Sequence, residues 1–83
     1  MSVSLKLDLP EGAFSALRES PEGFIREMRI AAAAKWYEQG RISQGKAAEI
    51  AGLSRAQFIE ALGQYGVSPF QDEITELERE AHV

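Results

Sequence analysis

Eighty-three residues with no cysteine, 45% apolar content and a formal net charge of -4 fit one small domain, and they exclude disulfides and thiolate metal sites. A chain this short buries only about 60% of the surface its unfolded form exposes, so association with a second copy is expected. The single histidine, His82, is next to the C-terminus, and no apolar run matches a membrane span or a signal peptide, so a cytoplasmic protein without metal or cofactor is expected.

Residues 3 to 9 alternate strictly, with Val3, Leu5, Leu7 and Leu9 on one side and Ser4, Lys6 and Asp8 on the other, until Pro10 ends the pattern. That is the period of a strand buried on one face. No second strand of comparable quality follows, and an unpaired strand leaves a row of backbone amides and carbonyls without partners. The expected partner is the same strand of a second copy, which joins the two apolar faces in one core. The pairing looks like the ribbon of ribbon-helix-helix repressors, a family in which outward residues of the ribbon read DNA. By that resemblance Ser4 and Lys6 are candidate DNA contacts. A plain dimerisation strand with a solvated outer face explains the pattern equally well.

Residues 11 to 19 read as a short helix with Phe14 and Leu17 inward. A longer helix runs from the cap at Ser20 and Pro21 to Gln39, with Phe24, Ile25, Met28, Ala31, Ala32 and Trp36 as its apolar stripe and Gly40 as its stop. Arg26, Glu27, Arg29 and Glu38 supply its polar surface. Trp36 and Tyr37 read as core or interface anchors rather than ligand-stacking rings.

Ser43 caps the next helix, which carries Ala47, Ala48 and Ile50, and Gly52 ends it. Ser54 caps a further helix from Arg55 to Leu62, with Phe58, Ile59 and Leu62 on one stripe. The spacing of Ala48, Gly52, Leu53 and Phe58 resembles the helix-turn-helix of bacterial and phage repressors. In that arrangement the second helix enters the major groove, and Ser54, Arg55 and Gln57 are its early outward residues. Arginine can pair with guanine and glutamine with adenine through two hydrogen bonds each. Gln44 and Lys46 are expected to hold phosphates from the first helix, while Glu60 offsets one cation.

Residues 67 to 70 read as an extended connector, and residues 72 to 81 as a short amphipathic helix with Ile74 and Leu77 on one edge. Residues 1 to 70 hold eight basic and eight acidic side chains, so the whole charge deficit lies in the last thirteen residues. The expected organisation is a strand and two helices for dimerisation over 1–40, a helix-turn-helix over 41–66 and an acidic tail over 67–83. The fold class is mainly α, with one N-terminal strand paired across a dimer.

From Ile42 to Val67, ISQGKAAEIAGLSRAQFIEALGQYGV, with a strand and long helix before it and an acidic tail after, the chain is similar to the small UPF0175 proteins of prokaryotes. The resemblance implies the antitoxin of a toxin-antitoxin pair. Such a protein binds DNA as a homodimeric regulator of its own transcription, and covers a protein toxin, often a PIN-domain ribonuclease, with its acidic segment. Phe70, Ile74 and Leu77 are then the partner-binding residues. The alternative is a dimeric interaction protein that binds no DNA and uses the helical corner as scaffold. An enzyme is not expected, since no nucleophile or acid-base pair is brought together by the pattern.

Overall fold

The computed structural model describes residues 2–71; the side chain of Leu17 and the tail helix expected over 72–81, with Ile74 and Leu77, lie outside the described residues. The described chain is mainly helical: α1 is Gly12–Leu17, α2 Pro21–Glu38, α3 Gln44–Ala51 and α4 Arg55–Gln64. None of the helices is long and apolar enough to cross a membrane among these residues. Residues 2 to 10 carry no regular secondary structure and are exposed throughout. The strand expected there has nothing to pair with inside a single chain, which is the physical reason it does not form.

Three serines start the longer helices. Ser20, Ser43 and Ser54 are extended, and each hydroxyl accepts the amide three residues on, from Gly23, Lys46 and Gln57. At Ser54 the exchange is reciprocal, because the Gln57 side chain accepts the Ser54 amide at 2.9 Å. All four helices end on the same paired backbone motif. Arg41, Leu53, Val67 and Glu19 return their amides to the carbonyls of Trp36, Ala48, Leu62 and Phe14, while a residue at positive φ makes the turn. That residue is glycine at 40, 52 and 66, but Arg18, at φ 56°, after α1.

The core draws on both sides of residue 40. Ala33, Ala34 and Tyr37 of α2, Ala47, Ala48 and Ala51 of α3, Phe58 and Leu62 of α4, and Val67 beyond it are buried together. Five of these nine are alanines, so α3 can lie close against α2, and the large apolar area comes from Tyr37 and Phe58 meeting edge to face at 6.0 Å. Leu53, in the turn between α3 and α4, packs half-buried against this core.

The buried face of α2 differs from the expected stripe. Ile30, Ala33, Ala34 and Tyr37 face the core, whereas Ile25 and Trp36 are 51% and 37% exposed, with the Arg41 guanidinium over the Trp36 ring at 5.6 Å. Residues 30 to 37 are apolar almost all round the helix, so periodicity alone does not select a face. The choice falls to the face whose tyrosine hydroxyl finds acceptors inside. Ile59, expected on the α4 stripe, is 40% exposed for a related reason: Phe58 and Leu62 already fill the space against α3.

Candidate nucleic-acid interface

The α3–α4 corner turns in three residues, Gly52 to Ser54, and two polar constructions hold it. In the first, Arg29 of α2 reaches across to the C-terminus of α3. Its Nε donates to the Ile50 carbonyl at 2.8 Å and a terminal nitrogen to the Glu49 carbonyl at 3.4 Å. These are among the carbonyls that a helix end leaves without internal partners, and a cation there also meets the negative end of the helix dipole. The guanidinium lies so close to Gly52 that a Cβ at that position would stand 3.0 Å from it, and Gly52 is also left-handed at φ 72°. Arg29 stays on the exposed polar surface expected of it and from there also frames the corner.

The second construction is centred on Gln44. This side chain, expected at a phosphate, is instead 6% exposed and turned inward. Its Nε2 donates to the Pro69 carbonyl at 2.9 Å and to the Tyr37 hydroxyl at 3.4 Å, and its Oε1 accepts Arg55 Nε at 2.6 Å. The Tyr37 hydroxyl donates to the same Pro69 carbonyl at 2.7 Å and accepts the Gln71 amide at 3.2 Å. Buried polar groups need partners, and here each supplies the next. The sequence holds a signal for this placement: Gln44, Ala47, Ala48 and Ala51 share the i, i+3, i+4, i+7 face that packs on α2.

The network has a chemical consequence for Arg55, which is itself exposed. With Nε fixed on a buried amide, the guanidinium plane is oriented and the N–H groups of its two terminal nitrogens are left to meet a phosphate or the O6 and N7 of a guanine. Gln57 is more restricted. Its Oε1 already accepts the Ser54 amide in the cap, so a paired contact with adenine has to share that oxygen or give up the cap. Ser54 is engaged in the same cap. Lys46 is exposed and lies 3.0 Å from Glu49 in a solvated pair, which water screens and an approaching phosphate can exchange.

The structure thus joins Gln44 directly to Arg55 and Ser54 to Gln57. Ser4 and Lys6 sit on the exposed N-terminal arm, and no side-chain hydrogen bond among the described residues links them to the corner. Phe70 is 60% exposed where the connector leaves the body. Nearer the start of α2, Tyr65 donates its hydroxyl to Glu27 at 3.2 Å. Burial, then the Glu27 charge and this hydrogen bond, raise the Tyr65 pKa above 10.0.

The family model of UPF0175, described as an uncharacterised protein family, matches residues 1–83. A UPF0175 protein of Aeropyrum pernix is 38% identical over 66 residues, which cover 80% of this chain and 70% of that protein. No solved structure matches the chain. With the whole length matched by the family model and a relative at this identity, the chain belongs to the UPF0175 family.

Proposed function

We propose that this UPF0175 protein is a DNA-binding regulator of antitoxin type. It acts as a homodimer paired through residues 3 to 9, with the α3–α4 corner as a helix-turn-helix and α4 in the major groove. The acidic segment after residue 67 holds a protein toxin, for which a PIN-domain ribonuclease is the expected class. The observation that carries the DNA reading is the fixed presentation of exposed Arg55 at the start of α4, with its Nε held on buried Gln44. A cation at a helix N-terminus adds to the positive end of the dipole, and both attract phosphate.

A second reading, in which the corner is only scaffold, draws support from the engagement of its neighbours. Gln44 is buried, Ser54 and Gln57 close the cap, and Lys46 faces Glu49, so Arg55 stands nearly alone. The two are separated by measuring binding of the chain to its own promoter region across a salt series. Arg55→Ala should weaken binding by about tenfold, the scale of one good base contact, and should flatten the salt dependence. Unchanged binding by Arg55→Ala together with a loss in Lys6→Ala transfers the reading to the arm, and no binding by the parent leaves the scaffold reading.

A further inference from the structure

Two apolar surfaces of this chain face solvent without meeting each other. One is the N-terminal arm, whose alternating leucines become more exposed toward the tip, from 39% at Leu9 to 88% at Leu5, as in a segment that projects from the body. The other is an open groove of about 380 Å³ along the first half of α2, lined by Phe24, Met28, Ala31, Tyr65 and Glu27. They are held beside each other but apart. The arm leads into α1 through Pro10, and α1 packs Phe14 edge-on against Phe24 at 5.2 Å, which puts the root of the arm at the lip of the groove while Leu5 and Leu7 stay exposed.

We infer that the groove is the seat of the apolar row of a second copy's arm. This rests on the homodimer reading above and adds where the paired arms lie. Pairing two strands satisfies their backbone groups but leaves a two-stranded ribbon with an uncovered apolar face, and such a ribbon is barely stable until that face packs on something. Two copies bring two arms and two grooves, so one two-fold axis closes both contacts with no unmatched surface left over. With the apolar row seated in the groove, the alternation turns Ser4, Lys6 and Asp8 outward, the face that the proposed DNA reading of the arm uses.

The absence of native cysteine makes the contact directly testable by disulfide trapping. Leu7→Cys and Met28→Cys are made in separate chains of different tag length, mixed, and oxidised under mild conditions, with far-UV dichroism checking that each retains its helix content. A cross-link between the two chains is expected at several times the yield of Leu7→Cys with Gln64→Cys, an exposed position on α4. A yield no higher than that control overturns the docking, as does a chain with both substitutions that closes its disulfide internally at high dilution. Sedimentation of the parent separates the levels: a dimer without the Leu7–Met28 link overturns the groove alone, and a monomer overturns both the groove and the dimer.

Discussion

Arg55 Nε donates to Oε1 of buried Gln44 at 2.6 Å, so an exposed cation of the α3–α4 corner is oriented from the inside of the fold. The same glutamine holds the Pro69 carbonyl, which ties the start of α4 to the connector that follows it.

Gln44→Leu fills the space but leaves the Arg55 Nε, part of the Pro69 carbonyl and the Tyr37 hydroxyl without that partner. The expected loss is about 1–3 kcal/mol, read as a lower urea midpoint at unchanged slope. Promoter binding should fall as well, toward the value of Arg55→Ala, and adding Gln44→Leu to Arg55→Ala should then cost no further affinity. Full additivity of the two affinity losses would mean that Gln44 does not act through Arg55.

Tyr37→Phe keeps the ring against Phe58 and removes only the hydroxyl. Its effect isolates the polar part of the same network, with an expected cost of about 1 kcal/mol or somewhat more because the Pro69 carbonyl and the Gln71 amide lose a partner. Hydrogen exchange at Gln71 should accelerate in this variant, and an unchanged rate would show that its amide is protected by something else.

Gly52→Ala meets two obstacles, the left-handed backbone and the guanidinium of Arg29. The first costs about 1–2 kcal/mol in any background. The second disappears in Arg29→Ala, which itself loses hydrogen bonds worth about 0.5–1.5 kcal/mol each at most. The double variant should therefore be less destabilised than the two single losses combined, and agreement to within about 0.3–0.5 kcal/mol would show that the two sites are independent.

Tyr65 supplies a pH signature. Its folded pKa is raised above the ordinary 10.0, so on raising the pH the unfolded chain loses this proton first. The stabilisation is complete below pH 10 and is lost as the pH rises through the folded value. Stability should fall more steeply above pH 10 in the parent than in Tyr65→Phe. Glu27→Gln removes the neighbouring charge, and the ultraviolet tyrosinate titration of Tyr65 should then move down toward the ordinary value.

Removal of residues 72–83 takes away the acidic excess and leaves Gln71 on Tyr37. Neutralisation of the partner toxin should be abolished while oligomeric state and promoter binding persist. A truncated chain that still inhibits the toxin at full strength would assign the contact to the body, with exposed Phe70 as the first residue to replace.

The starts of the three longer helices and the stops of α2 and α3 were legible residue by residue, whereas the left-handed stop of α1 at Arg18 and the run of α4 past Leu62 to Gln64 were not. Ser20, Ser43 and Ser54 read as caps and Gly40 and Gly52 as ends, because a cap or a left-handed turn is decided by groups within about five residues of one another. Tertiary structure decided what those helices turn toward each other. It chose Ala33, Ala34 and Tyr37 over Ile25 and Trp36, drew Gln44 inward, and set Arg29 on the carbonyls of Glu49 and Ile50. Several of those contacts join residues 20 or more positions apart, as Arg29 to Ile50, Tyr37 to Pro69 and Gln44 to Pro69 do. A charged or amide side chain has the same local pattern whether it meets water or a carbonyl brought from elsewhere, and only the packed chain brings that carbonyl within reach.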